Sequence, residues 1–153
     1  MSIFETRRGY GLYYGLAKLT GAPLDIGPVD WATLRRHRTP NDTLVAPPGH
    51  CPNAKVDHEP GVYAASPEEL LARLKAVALA EPRTLEISGA PNPLAARFLQ
   101  HSLLMRYPDT IDVQVLPAGD KQSTLAIYSR SLIGRKDFGV NRARVERWLA
   151  ALG

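Results

Sequence analysis

The sequence lacks most of the motifs by which function is usually recognised. A single cysteine, Cys51, excludes an intramolecular disulfide framework, and no Cys-x-x-Cys pair is present for zinc or redox chemistry. There is no Gly-x-Ser-x-Gly nucleophile motif, and Glu68, Glu69 and Glu86 do not form a catalytic pair by position. These absences favour a non-catalytic protein with no cofactor. An uncharacterised hydrolase or transferase stays open, because catalytic groups can be distant in sequence.

Long apolar runs are also missing. No stretch approaches the roughly 18 to 20 apolar residues that cross a bilayer, and the first residues lack the apolar core of a signal peptide. We therefore expect a cytoplasmic protein without a transmembrane segment, and leave open a peripheral membrane contact through the N-terminal region. The net charge is only +4, so the charge of the whole chain gives no strong signal for a nucleic-acid partner and does not decide between classes of partner.

The N-terminal region is rich in residues that interrupt regular structure. Seven of the thirteen prolines lie at or before Pro60, and glycines are frequent in the same stretch. One short helix is predicted over about 10–19, where apolar residues share a face: Leu12, Tyr13, Leu16, Ala17 and Leu19. Gly11 and Gly15 each cost about 1 kcal/mol of helix propensity relative to alanine. Residues 1–30 are therefore predicted to form an arm that docks on its own domain or on a partner.

The pattern becomes regular from Gly61 onwards. Ser66 is placed to cap a helix that Pro67 begins and that runs to about Ala80. Strands are predicted at Val62 to Ala65, Thr84 to Ser88, Phe98 to Tyr107, Thr110 to Leu116 and Thr124 to Ser131. A final helix is predicted over about Val140 to Leu152. We expect one domain over 31–153, with a proline-rich entry at 38–60 and a regular core at 61–152.

This order of elements predicts an α+β fold. The short links Tyr107 to Asp109 and Pro117 to Gln122 favour hairpins, and hence a curved, largely antiparallel sheet in the order β-α-β-β-β-β-α. Bet v 1 and TATA-binding-protein-like domains share that order. The likeness is a fold analogy and implies no activity.

The stretch from Ile127 to Glu146 reads Ile-Tyr-Ser-Arg-Ser-Leu-Ile-Gly-Arg-Lys-Asp-Phe-Gly-Val-Asn-Arg-Ala-Arg-Val-Glu. It resembles the closing signature of the bacterial family called domain of unknown function 1499. Thr39-Pro40-Asn41 resembles the Pro-Asn near the start of that family's domain, so the resemblance spans roughly Trp31 to Leu152. Many relatives carry a cysteine after this asparagine and an N-terminal anchor or export signal. Here Asp42 follows Asn41.

Basic residues are concentrated between Arg130 and Arg147. This stretch contains Arg130, Arg135, Lys136, Arg142, Arg144 and Arg147, against Asp137 and Glu146. Cations in a first helical turn oppose the helix dipole, so an anion or a carboxylate is expected nearby. The functional interpretation is a site for an anionic group or a partner protein, formed by Arg130, Arg135, Asp137, Asn141, Arg142 and Arg144. The alternative is an internal salt-bridged clasp between Asp137 and one or two of the arginines.

Other candidate groups have simpler explanations. His50, Cys51, Asp57 and His58 lie close in sequence, but their spacing fits no metal motif and their proline-rich surroundings favour an irregular loop. The basic run Leu34 to Arg38 lacks the aromatic residues of a nucleic-acid platform, so a solvated stretch is expected. His101 is predicted in a strand as an outward or satisfied polar residue.

Three classes of function therefore remain. The leading hypothesis is a non-catalytic binding or accessory protein that uses the basic C-terminal loop and the arm to contact another protein, within a larger complex, or an anionic group. The alternative is a small-molecule carrier with a cavity between the sheet and the terminal helix. Its expected lining comprises Leu103, Met105, Val113, Val115, Ile127 and Trp148. An enzyme is the third class.

Overall fold

A five-stranded antiparallel sheet with two helices forms the body of the protein. The computed structural model describes residues 25–36, 41–101, 103, 107–132 and 138–153. The strands are β1 (Asp42–Val45), β2 (Thr84–Ile87), β3 (Ala95–His101), β4 (Pro108–Pro117) and β5 (Ser123–Ser131), and the helices are α1 (Pro67–Ala80) and α2 (Val140–Leu152). The sheet order is β1-β5-β4-β3-β2. The predicted α+β class and element order are confirmed.

Helix α1 begins at the predicted signal. The Ser66 side chain accepts a hydrogen bond from the Glu69 backbone N–H, and the Glu69 carboxylate accepts one from the Ser66 N–H, each at 3.2 Å. This reciprocal capping satisfies two backbone donors that a helix start otherwise leaves open. Helix α2 begins differently, because Gly139 in the left-handed region (φ 80°) precedes it and no side chain caps it.

The two faces of the sheet carry separate apolar clusters. Both helices pack on one face, here called the helix face, where Phe98, Ile127 and Trp148 are fully buried. The rings of Phe98 and Trp148 meet edge to face with centroids 5.6 Å apart. The opposite face, here called the strap face, is covered near β1 and β5 by a second cluster that includes Leu44, Tyr128 and residues of the segment 25–36. We call that segment the strap.

The first strand of the sheet lies earlier in the chain than predicted. Strand β1 occupies Asp42–Val45 and pairs with β5 over its whole length, from Asp42 opposite Arg130 to Val45 opposite Ile127. The predicted strand at Val62 to Ala65 is wrong, because Tyr63 makes only an isolated bridge to Ser123. The sequence did not indicate β1, because the strand is short, begins with the polar Asp42 and is flanked by prolines, which are typical of loops.

The boundaries of β3 and β4 also differ from the predicted ones. Strand β3 starts at Ala95 and ends at His101, and β4 starts at Pro108, so the predicted position of the connection, 107–109, is wrong. The predicted antiparallel pairing of these two consecutive strands is confirmed. Proline is tolerated at the first residue of a strand, where its missing N–H costs least. The turn between β4 and β5 is confirmed, with the Ala118 N–H donating to the Gln122 carbonyl at 3.0 Å. The predicted arm helix over 10–19 lies outside the described residues.

Candidate functional site

Strand β5 divides the signature residues between the two faces of the sheet. Successive side chains of a strand point to opposite faces. Ser129 and Ser131 therefore face the helices, whereas Tyr128 and Arg130 face the strap. Arg130 and Arg144, which the sequence suggested as members of one cluster, lie on opposite sides of the sheet.

Arg144 is the centre of a buried polar network on the helix face, and only 1% of its surface is exposed. Its Nη2 donates to Asp109 Oδ2 at 2.7 Å, and its Nε donates to Gln100 Oε1 at 2.7 Å. Its Nη1 donates to Ser129 Oγ at 2.9 Å and to Asn141 Oδ1 at 2.8 Å. One arginine of α2 thus binds side chains of β3, β4 and β5.

Asn141 extends this network to β1. Its side-chain amide donates to the Asn41 carbonyl at 3.1 Å and to Ser131 Oγ at 2.9 Å, while its Oδ1 accepts from Ser129 Oγ at 2.7 Å. Asn141 is fully buried. Because buried polar groups are costly unless they are paired, this closed set of contacts fixes the first turn of α2 on the sheet. The network therefore accounts for Asn141 and Arg144 structurally.

Arg142 points the other way from Arg144. Its side chain is 76% exposed, and its Nε lies 2.9 Å from Glu146 Oε1, one helical turn along. Exposed pairs of this kind contribute little to stability and are readily exchanged for other contacts. Arg142 is therefore available to a partner, whereas Arg144 is not. Arg135, Lys136 and Asp137 lie outside the described residues, and with them the predicted clasp to Asp137.

The start of α2 exposes apolar side chains. Phe138 is 93% exposed and Val140 is 46% exposed. Phe138 also has a left-handed backbone, with φ of 53°. For a bulky residue that conformation costs roughly 1–2 kcal/mol, and an exposed ring returns none of this cost through burial. We call Phe138, Val140 and Arg142 the α2 entry surface.

Arg130 belongs to a second charged array, on the strap face. Arg97 is its centre, with Nε 2.8 Å from Asp112 Oδ1 and Nη2 2.6 Å from Asp25 Oδ1. Arg130 is more weakly held, with Nη2 4.0 Å from Asp112 Oδ2 and its guanidinium carbon 5.2 Å from the centre of the Tyr128 ring. Burial raises the pKa of Asp112, whereas the hydrogen bond from Arg97 lowers the pKa of Asp25.

A third polar group joins the strap to β1. The Tyr128 hydroxyl donates to Asp42 Oδ2 at 2.7 Å, and Arg36 Nη2 lies 2.8 Å from Asp42 Oδ1 and 2.9 Å from Asp57 Oδ2. Burial, and then the hydrogen bond to Asp42, raise the pKa of Tyr128. Asp42 of β1 is thus the acceptor that connects the strap, through Arg36, and β5, through Tyr128.

The residues considered as metal ligands or as a nucleophile, Cys51, His50 and His58, make packing and backbone contacts within the fold. Cys51 is buried in the second apolar cluster, and burial raises the pKa of its thiol, which disfavours the reactive thiolate. The His50 ring packs on Trp31 with centroids 5.3 Å apart. His58 forms an isolated bridge with Val45. Within the described ranges, no group of three or more His, Cys, Asp or Glu is placed to hold a metal ion.

Four of the residues expected to line a carrier cavity are core residues. Val113, Val115, Ile127 and Trp148 are at most 2% exposed and pack in the cluster of the helix face. Leu103 is 65% exposed, and Met105 lies outside the described residues. Core packing therefore accounts for the apolar character of those four, and the carrier hypothesis stays untested.

The sequence analysis missed Asp109, Gln100 and Arg97, although a signal was present for the first two. Asp109 is in phase with the buried Ile111 and Val113 along β4, and Gln100 is in phase with Phe98 along β3. On α2, Arg144 lies four residues before Trp148 and shares its buried face. A charged residue in phase with core residues indicates a buried ion pair.

The comparisons with known proteins support the family but no activity. None of the described helices is both long and apolar enough to cross a membrane. No curated protein matches the chain. The family model described as "Protein of unknown function (DUF1499)" matches residues 35–152. Because this match covers most of the chain, including β5 and α2, the chain belongs to the DUF1499 family.

Proposed function

We propose that the protein is a non-catalytic binding protein that docks another protein on its α2 entry surface. The observation that carries this proposal is Phe138, a 93% exposed aromatic ring on a left-handed backbone. Strained residues concentrate at sites of function, because elsewhere selection removes their cost. An exposed aromatic ring gains its burial energy only when a partner covers it.

The surroundings of Phe138 suit a protein interface. Val140 adds a second exposed apolar side chain at the start of α2, and Arg142 is exposed in the same helical turn. Interfaces commonly combine an apolar centre rich in aromatic side chains with a polar rim, and phenylalanine and arginine are enriched in them. Leu103, in the connection between β3 and β4, is exposed at the same end of the sheet. The partner is expected to offer an apolar pocket flanked by carboxylates.

The rest of the basic cluster supports a docking surface more than an anion pocket. Arg144 donates through all three guanidinium nitrogens to buried protein acceptors, so it has no role left in binding an anion. Arg130 faces the strap instead. Three arginines between Arg130 and Arg144 are described by the structure. Of these three, Arg142 is the one that is exposed at the start of α2.

The test is quantitative co-purification from the native host with tagged full-length protein. Phe138→Ser is the test variant, and Val62→Ser is the matched control, because Val62 is also exposed (59%) but precedes the Tyr63 bridge to the opposite end of β5. We expect one partner protein to be recovered with wild type and with the control, and about tenfold less or none with Phe138→Ser.

A charge variant sharpens this test. Arg142→Glu should weaken recovery of the same partner, whereas Arg73→Glu on the exposed face of α1 should not. Unchanged recovery with both Phe138→Ser and Arg142→Glu, in variants that keep the wild-type melting temperature, would show that the α2 entry surface is not the docking surface.

A further inference from the structure

The two edges of the sheet end differently in the part of the chain that the structure describes. On the outer side of β1, the Asp57 N–H donates to the Leu44 carbonyl at 2.8 Å, and the Leu44 N–H donates to Asp57 Oδ2 at 2.8 Å. Val45 of the same strand also bridges to His58. One segment of the chain therefore occupies the backbone groups of that edge. Strand β2 forms the opposite edge and pairs with β3.

The pairing of β2 with β3 shows which backbone groups of β2 point away from the sheet. The His101 N–H donates to the Arg83 carbonyl at 3.1 Å, which extends the register of the two strands by one residue. Hydrogen-bonded and non-hydrogen-bonded pairs alternate along an antiparallel ladder. Leu85 therefore bonds to β3, whereas the N–H and C=O groups of Thr84 and Glu86 point outward. Among the described residues, no backbone group bonds to these four outward groups.

Strand β2 lacks the devices that commonly prevent an edge from pairing with another strand. Such edges are blocked by proline, by unpaired charges or by a bulge. The four residues of β2 include no proline, and each lies opposite one residue of β3 without a bulge. The charge of Glu86 is balanced within the chain, because its Oε1 lies 3.0 Å from Lys75 Nζ. The outward groups of β2 can therefore bond to an added strand.

We infer that the edge of β2 binds β2 of a second copy of this chain and joins the two five-stranded sheets into one of ten strands. Two-fold symmetry is the commonest symmetry of soluble oligomers. A two-fold axis that crosses the sheet pairs a strand with its own copy in antiparallel orientation, so outward groups meet outward groups. The same surface then serves both subunits, and no second surface is required.

The side chains of β2 favour one register for this pairing. If Thr84 lay opposite its own copy, Pro82, which lacks an N–H, would lie opposite Glu86. If Glu86 lay opposite its own copy, two like charges would be neighbours, which is destabilising. Pairing Thr84 with Glu86 avoids both faults and forms two hydrogen-bonded pairs. Leu85 then lies opposite its own copy on the two-fold axis, in the closer, non-hydrogen-bonded kind of pair.

Analytical ultracentrifugation of the full-length protein tests the inference. Wild type should be a dimer, and Glu86→Pro should raise its dissociation constant at least about tenfold, because proline removes an outward N–H without touching the β2–β3 ladder. Glu86→Ala is the matched control, since it also loses the contact with Lys75 but keeps the N–H, and it should remain dimeric. A monomeric wild type, or a dimer that Glu86→Pro leaves intact, would overturn the inference.

A pair of charge variants tests the register independently of any change in folding. Thr84→Lys and Thr84→Glu both lose the hydrogen bond that Thr84 Oγ1 accepts from Gln100. The lysine variant places opposite charges across the axis and should dimerise about tenfold more tightly than the glutamate variant, which places like charges there. Equal dissociation constants would refute pairing of β2 with its copy. Phe138→Ser should leave the dimer unchanged, so this result and the docking proposal stand or fall separately.

Discussion

Replacement of Arg144 is the most informative single change for the fold of this protein. Arg144→Met keeps an unbranched side chain as far as the position of Nε, but removes four hydrogen bonds and the cation that faces Asp109. Both residues are buried, with 1% and 6% of their surfaces exposed. Breaking a buried ion pair from one side costs about 3–5 kcal/mol, because the remaining charge keeps its desolvation penalty. For a chain of this size, that loss lowers the melting temperature by roughly 10 °C.

The assay is urea unfolding followed by tryptophan fluorescence, in a double-mutant cycle with Asp109→Leu. The double variant removes both charges from the interior. Its loss in free energy of unfolding should therefore be smaller than the sum of the two single losses, by about 2 kcal/mol or more. Arg142→Met on the same helix is the control and should leave stability unchanged, because its pair with Glu146 is exposed. Single losses below about 1 kcal/mol, or strictly additive losses, would refute a stabilising network around Arg144.

Three further predictions concern the other polar groups. Tyr128→Phe should cost about 1–2 kcal/mol in urea unfolding, because it leaves the Asp42 side chain, which is 3% exposed, without its hydroxyl donor at 2.7 Å. No loss would mean that Arg36 alone satisfies Asp42. Asp25 has a pKa below its usual 3.8 through its hydrogen bond with Arg97, so its stabilising effect is present above that value and disappears as the pH falls through the folded pKa. Asp25→Asn should therefore be less stable than wild type at neutral pH and converge with it in acid, and a constant difference at all pH values would contradict the ion pair. Cys51 should react with a thiol reagent at least about tenfold more slowly in the native protein than in urea, because it is buried and its pKa is raised; equal rates would contradict its burial.

The regular elements were predictable where local signals and periodicity agreed. Ser66 and Pro67 fixed the start of α1, and the spacing of Val145, Trp148 and Leu152 fixed α2. Strand β1 was not predictable, because its polar Asp42 is compensated by Arg36 and Tyr128, which are distant in sequence. No local pattern records such a partnership.

The candidate site was predictable in composition but not in arrangement. The excess of arginine near α2 is evident in the sequence, yet Arg130 and Arg144 lie on opposite faces of the sheet. The side chains of β5 alternate between the two faces, which directs Arg130 to the strap face, whereas Arg144 belongs to the helix that packs on the other face. The partner of Arg144 is Asp109, 35 positions away. The exposed, left-handed Phe138 has no signature beyond the glycine that follows it, since backbone conformation at one residue is set by the elements on both sides.

The alternation along β5 determines where the chain tolerates length changes. An insertion of one residue between Tyr128 and Ser129 would exchange the two faces for the rest of β5, placing Ser129 opposite Asp42 and moving Arg130 to the helix face. Two unrelated sets of contacts would fail together. An insertion in the turn at 118–122 would shift neither set, since loop lengthening costs only tenths of a kcal/mol to about 1 kcal/mol. Length variation among related chains should therefore be found in that turn and be absent from the end of β5.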